Sequence, residues 1–400
     1  MKRDFDLVVF GATGFTGSLV ARYLARHPDR PTWAIAGRNP TKLEALGLGV
    51  PVLVGDATER ASLDAIARRA KVVCTTVGPF AQYGSELVAA CADAGTHYCD
   101  LTGEVQWHRE MIDAHDARAR ETGAKIVHSC GYDSIPSDLG TWALQQEFIA
   151  RFGAPAESVT AYYGETSGGV SGGTVASGIG MARAASASRD VRKLLGDPYA
   201  LDPRPDGTAT GARPSVPDEA RPGWDAEMKM FTVPFVMAPY NTRIVRRSHA
   251  LAGLPWGAGF RYREVMTTPG SAKGLVMAAG FTAGLGALAF ALKHPALREI
   301  VAKRAPQPGE GPSKETREHG HWKVRLVGTG GGHRLQYVAS DRADPGYGST
   351  SKMLGESALC LALDPLPAAG GELTPVTAMA EPLLGRLRRA GLTFAVAAGE

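Results

Sequence analysis

Cysteine is scarce and scattered in this chain of 400 residues: Cys74, Cys91, Cys99, Cys130 and Cys360 are all it has, with no C-x-x-C spacing among them. An odd, dispersed set speaks against a disulfide framework or a structural zinc site and suits a reducing compartment; no metal is expected. Charge of one sign is lacking too. The 44 Lys and Arg against 40 Asp and Glu leave +4, too weak a balance to recommend nucleic acid as a partner. The first residues pass at once into a strand-like run, Phe5 to Phe10, without the charged, long-apolar, small-residue order of a signal peptide. An intracellular location is expected. With 49 Gly and 26 Pro the chain stays below the roughly 25–30% that marks low complexity. What remains is a folded chain too long for one ordinary core, and two domains are expected.

The first third is regularly punctuated. Asp6 to Phe10 is a short apolar run, Gly11 to Gly17 (GATGFTG) a glycine-rich turn, and Leu19, Val20, Tyr23 and Leu24 recur at helical spacing. Further strands are expected over 33–38, 52–56, 72–77, 97–101 and 125–129, with helices over 42–46, 62–70, 85–94 and 105–122 between them. Such alternation predicts an α/β fold, a Rossmann-type doubly wound parallel sheet that binds ligands beyond the carboxyl ends of its strands.

The glycine turn carries the first chemistry. A dinucleotide pyrophosphate needs a tight turn, a backbone with no Cβ in the way, and a helix N-terminus whose free N–H groups face the phosphates. Gly11, Gly14 and Gly17, with Thr13, Phe15 and Thr16 between them, suit those roles, although G-x-x-G-x-x-G is also a spacing for a structural turn. The second strand ends at Arg38, where NAD-specific folds place an acid; a cation there accommodates the extra phosphate, so NADP is the expected cofactor. Asp56 either borders the adenine or caps the helix that follows. Val77, Gly78 and Pro79 form a turn beside the nicotinamide ribose or a merely structural one. No tyrosine stands four residues before a lysine, which removes the catalytic pair of short-chain dehydrogenases.

Residues 4–17 (DFDLVVFGATGFTG), Ala36-Gly37-Arg38, Val77-Gly78-Pro79-Phe80 with Tyr83-Gly84, 98–104 (YCDLTGE) and 130–138 (CGYDSIPSD) together resemble the saccharopine dehydrogenase-like oxidoreductases. Within that group the chain is most similar to the bacterial trans-acting enoyl reductases, which serve polyketide-derived lipid synthesis. The likeness continues through Ser171-Gly172-Gly173-Thr174, Asp344-Pro345-Gly346-Tyr347, Lys352-Met353-Leu354 and Leu373-Thr374-Pro375, spanning nearly the whole chain. It implies an NADP-binding domain followed by a mixed α/β (α+β) domain that shapes the substrate site. The first is expected over 1–140, the second, also a dimerisation domain, over 141–372, and the helix and strand of the tail, 373–400, are expected to return to the first domain. It also implies reduction of an activated carbon–carbon double bond in a long-chain lipid or polyketide intermediate. Two alternatives stay open: a dehydrogenase of an amino-acid conjugate, with Arg243, Arg246, Arg247, Arg261 and Arg263 lining a carboxylate pocket, and a non-catalytic NADP-binding module docking on a synthase or membrane.

The turn after the sixth strand lies on the cofactor edge, which makes Tyr132, Asp133 and Ser134 the catalytic candidates. Ser134 and Asp133 also suit capping of the next helix, with Pro136 in its first turn. Asp100, Thr102 and Glu104 serve binding or capping alike. In the second half, the seven glycines of 164–180 read as a loop, 322–327 and 333–339 as an antiparallel hairpin, and 349–363 as a helix. The uncharged stretch 274–292, between Lys273 and Lys293, has three readings: a buried helix, a membrane-docking or acyl-chain-facing element, or a spanning helix. A peripheral place at the inner face of the plasma membrane and a homodimer belong to the second and first of these.

Overall fold

The computed structural model describes residues 3–132, 134–167, 172–203, 214, 217–304 and 313–398. Its first third builds the anticipated units. Strand β1 (Phe5–Phe10) passes through the glycine turn into α1 (Phe15–Leu24); β2 (Trp33–Gly37), α2 (Pro40–Glu44), β3 (Val52–Val54), α3 (Arg60–Arg69) and β4 (Ala70–Thr75) follow. A single turn α4 (Phe80–Tyr83) precedes α5 (Ser85–Ala94), β5 (His97–Cys99), α6 (Val105–Thr122), β6 (Lys125–Val127) and α7 (Ile135–Phe152).

Alternation along the strands sends their side chains to two cores. Leu7 and Val9 join one, Val8 and Phe10 the other, as the two-residue period of a strand covered on both faces requires. Every pairing in this sheet is parallel, and the order is β13-β6-β5-β4-β1-β2-β3. The order reverses between β1 and β4, so the crevice for a ligand opens at their carboxyl ends.

The second sheet is mixed. It takes β7 (Ser158–Ser167), β8 (Gly223–Asp225), β9 (Met230–Pro234), β10 (Arg261–Thr268), β11 (His321–Gly330), β12 (His333–Asp341) and β14 (Thr393–Val396), in the order β14-β12-β11-β7-β10-β9-β8. Between these strands run α8 (Gly172–Ala187), α9 (Arg189–Gly196), α10 (Ala238–Leu251), α11 (Ala272–Lys293), α12 (Pro295–Arg304) and α13 (Lys314–His319). The glycine-rich segment expected as a loop is therefore the end of β7 and most of α8, apart from 168–171, which lie outside the described residues. Gly164 has a packing reason: a Cβ there would stand 2.1 Å from the Thr267 hydroxyl on the paired strand.

The chain crosses between the halves more often than boundaries at 140 and 372 allow. After a π-helical turn (Pro345–Ser349), α14 (Thr350–Leu363) packs on α1, β1, β4 and β5 of the first sheet. Strand β13 (Gly371–Leu373) then pairs with β6 in that sheet, and α15 (Pro375–Arg389) leads out. The closing strand β14 pairs with β12 in the second sheet and does not return to the first. One core consequently joins Leu7 and Ile35 to Val324, Leu326 and Tyr337.

The buried reading of the uncharged stretch fails within this chain. Helix α11 is 22 residues long with mean hydropathy 2.0, and 6% of its most apolar window is buried. Val276 is 71% and Phe290 58% exposed.

Candidate functional site

The carboxyl ends of β1 to β4 bring together most of the residues expected around a dinucleotide. Gly11 has φ +85°, and a Cβ on it would stand 2.5 Å from Val77 Cγ2; on Gly17 it would stand 2.2 Å from the Gly11 carbonyl oxygen. These two glycines let strand, turn and helix close on one another. Gly14 is exposed, and a Cβ there would meet only the Gly11 oxygen, at 3.3 Å. It is also the N-cap of α1 and, having no side chain, leaves the first-turn amides uncapped. That is the fit a pyrophosphate requires: an open approach at Gly14 to free N–H groups at the positive end of a helix. Thr13 is exposed and Thr16 half-buried beside it. The Phe15 ring turns instead to the second half, edge-on to Tyr347 at 4.9 Å with the Arg317 guanidinium over its face, so any part it has in holding the cofactor falls to its backbone.

Arg38 is exposed just past β2. Asp56 uses its carboxylate on the Thr58 amide (2.9 Å) and hydroxyl (2.8 Å), an Asx turn rather than a cap on α3. Those bonds, and the nearby Arg38 charge, hold its pKa below the ordinary carboxylate value. Gly78 is joined to Pro79 by a cis peptide. The turn is fixed from behind by Glu104, whose buried carboxylate accepts from the amides of Phe80 (2.9 Å) and Ala81 (3.0 Å) and from Ser177 Oγ of α8 (2.7 Å). Glu104 makes no side-chain cap on its own helix; it ties the 77–79 turn to an element of the second half.

Next along the edge, Asp100 is the centre of a buried knot. It accepts from Tyr98 Oη (2.9 Å), the amides of Thr102 and Ser129 (3.0 Å each) and His128 Nδ1 (2.7 Å). Ser129 is held at φ +66°, a region a non-glycine residue rarely occupies. Burial opposes charge on His128, but the Asp100 and Glu372 carboxylates outweigh it and raise the pKa to about 10. Burial holds neighbouring His108 well below the ordinary histidine value.

The expected catalytic turn is divided. Ser134 is fully buried and donates to Asn241 Oδ1 (3.1 Å); Asn241 in turn donates to Glu264 (3.0 Å), which also accepts from Tyr262 Oη (2.7 Å). Its hydroxyl belongs to an internal network and does not cap α7. Tyr132 is half-buried, edge-on to Trp322 at 5.0 Å and to Tyr163 at 6.3 Å, and its amide donates to Thr350. Asp133 lies outside the described residues. The knot around Asp100 and the Glu104 clamp were not foreseen as structure, because their partners lie between 2 and 73 residues away and only the fold assembles them.

The arginines considered for a carboxylate pocket are engaged elsewhere. Buried Arg243 holds Asp218 and the carbonyls of Asp197 and Leu195; Arg246 holds those of Pro198 and Tyr262, and Arg247 those of Leu201 and Glu372. Arg263 faces Glu219 and Asp225, and Arg261 is exposed.

Comparison with known proteins agrees with this edge. Residues 7–127 match the model of the saccharopine dehydrogenase NADP binding domain. A Mycobacterium tuberculosis protein provisionally named a trans-acting enoyl reductase is 41% identical over 98% of this chain and 97% of its own. The trans-acting enoyl reductases of Mycobacterium bovis and Mycobacterium ulcerans are 39% and 38% identical, again over 98% of this chain and 98% and 97% of theirs. Saccharopine dehydrogenase (L-Glu forming) from Saccharomyces cerevisiae has a similar fold, with a TM-score of 0.53 and 14% identity over 98% of this chain and 99% of its own. With a glycine cradle shaped for a pyrophosphate and relatives aligned from end to end, the chain belongs to the saccharopine dehydrogenase-like NADP-binding oxidoreductases, in the group of the trans-acting enoyl reductases.

Proposed function

We propose that this chain uses NADPH to reduce the activated carbon–carbon double bond of a long-chain lipid or polyketide-derived enoyl intermediate. End-to-end similarity to enoyl reductases carries the reading, and the internal engagement of the buried arginines speaks against a carboxylate-rich amino-acid substrate. Residues 1–140 hold the cofactor and the mixed second half shapes the substrate cavity. When bound, NADPH would supply the hydride that the β-carbon takes up. The chain's part is to hold the two reactants in register and to stabilise charge developing on the carbonyl oxygen. Gly11, Gly14, Gly17 and Arg38 would hold the cofactor, Glu104 fixes the turn after β4 from behind, and Tyr132 would donate to the carbonyl oxygen. Ser134, committed to Asn241, takes no direct part. The α-carbon proton comes from a side chain or water.

In this reading the exposed face of α11 meets the acyl chain or a membrane carrying it, and the protein works in the cytoplasm, peripherally at the inner face of the plasma membrane. A homodimer burying α11 is the competing use of the same face. The test is oxidation of NADPH in the presence of long-chain enoyl thioesters. Tyr132→Phe is expected to lower kcat by about 100-fold or more, the usual cost of losing one donor to a developing oxyanion, with NADPH affinity kept. Unchanged turnover in that variant would remove Tyr132 from the reaction.

A further inference from the structure

Three side chains from distant parts of the sequence converge behind the cofactor edge: His108 on α6, His128 just after β6, and Glu372 on β13. All are fully buried, and His108 Nε2, His128 Nε2 and the Glu372 carboxylate lie within 4.8 Å of one another. Each ring is oriented from its other nitrogen. His128 Nδ1 stands 2.7 Å from Asp100 Oδ2, and His108 Nδ1 stands 3.1 Å from Tyr240 Oη, which is itself bonded to Ser129 Oγ. With Nδ1 carrying the proton, both rings turn an Nε2 lone pair toward one point.

At that point four polar atoms, the two Nε2 and both oxygens of Glu372, make no hydrogen bond among the described residues. His128 Nε2 is 3.2 Å from Glu372 Oε2 without being aligned for one. Buried polar atoms are almost always paired, so this convergence asks for an occupant. A proton on His128 would answer Glu372 Oε2 and leave His108 Nε2 and the second carboxylate oxygen bare. One divalent cation answers all of them.

We propose that His108, His128 and Glu372 bind a divalent transition-metal ion, with zinc the foremost candidate. Two neutral imidazoles and a carboxylate are a zinc donor set, and a carboxylate behind a ligating histidine, as Asp100 stands behind His128, is the usual support for one. Ligand distances of about 2.0–2.2 Å put tetrahedral donor atoms roughly 3.4 Å apart; the His128–Glu372 edge, at 3.2 Å, already fits, and the other edges, none longer than 4.8 Å, need only a modest adjustment. The ion fastens β13, which arrives late in the chain, to the histidines of the first domain. The absence of paired cysteines gave no hint of it, because its ligands are histidine and glutamate brought together by the sheet.

The test is elemental analysis of the desalted protein expressed with zinc in the medium, with cobalt exchange and thermal unfolding beside it. About one transition-metal ion per chain, the visible bands of a cobalt-loaded site and a lower Tm after prolonged chelation are expected. Glu372→Gln and His108→Gln should lose the ion, Asp100→Asn should weaken zinc affinity by about 10–100-fold, and His115→Gln on the same helix should keep it. Iron or manganese at the same stoichiometry, lost in the same variants, supports the site equally. Where a variant does not fold, the wild-type arms decide. Wild-type protein free of transition metals, with neither a cobalt spectrum nor a change in Tm on titration with zinc, overturns the proposal.

Discussion

At the scale of single residues, we propose that Arg38 selects the dinucleotide that is held. It stands exposed past β2, close enough for its charge to be felt at Asp56, and a 2′-phosphate would find in it a charge-assisted partner. Such a bond contributes about 1.5–3 kcal/mol. Arg38→Ala should therefore weaken NADPH binding by roughly 10–100-fold while leaving NADH within about twofold, as read by fluorescence titration. Equal losses for both cofactors would show that Arg38 supports the fold and not the phosphate. The residues of this edge were legible in the sequence because turn, strand end and cation lie within 28 positions of one another. The Asp100 knot was not: His128, Tyr240 and Glu372 meet only after both halves have folded, and no local spacing announces them. Ser134 shows the opposite error. Its place in a conspicuous motif suggested a catalytic or capping role, while its hydroxyl is buried against Asn241 and speaks for an internal, structural one.

Among the elements, the strands and helices of the first 127 residues fall within a few positions of expectation, since strand–turn–helix alternation is written locally. The second half hid its strands better. Glycines that relieve contact between paired strands, as Gly164 does against Thr267, look in sequence like a loop. Helix α8 forms in spite of Gly178 and Gly180, packed on α9, α11 and α12, and β7 forms in spite of Gly164 because sheet pairing outweighs intrinsic preference. Helix α11 was recognised by its length and composition, but whether it was covered is a property of the fold. At about 33 Å long and exposed at Val276 and Phe290, it can lay a broad apolar surface against lipid. The double substitution Val276→Asp with Phe290→Asp should reduce sedimentation with phospholipid vesicles by about tenfold or more and leave NADPH binding intact. Wild-type protein that stays with the supernatant and elutes as a dimer would assign the face to a second copy.

For the molecule as a whole, the two sheets are laced together. Helix α14 and β13 return to the first sheet, β14 goes to the second, and buried polar networks run between them. Two carboxyl groups in those networks hold their protons to a higher pH than usual. Asp138, which accepts from Ser248 Oγ (2.5 Å) and the Val376 amide (3.0 Å), has its pKa pushed up to about 7 by burial. Glu264 is likewise pushed up to about 7 by burial, against its hydrogen bonds with Ser137, Tyr262 and Asn241. Unfolded, both titrate near 4. Between about pH 4 and 7 the native chain therefore holds protons that the unfolded chain has released, so stability from these groups is full below pH 4 and falls as pH rises through 7. Glu264→Gln should remove its share of that fall, about 1.4 kcal/mol per pH unit across the interval, in urea denaturation at pH 5, 6, 7 and 8. A variant with the same pH slope as the parent would show that Glu264 is charged in the fold.

The cofactor edge and the end-to-end similarity to enoyl reductases point to one reaction. The most direct measurement mixes the protein with NADPH deuterated at the transferable position of the nicotinamide and a long-chain enoyl thioester, following absorbance by stopped flow and analysing the product by mass spectrometry. NADPH should be consumed only when the enoyl substrate is present, and the saturated product should carry deuterium at its β-carbon. NADPH that binds but is never oxidised with any enoyl thioester would contradict the account and leave the chain a non-catalytic binding module.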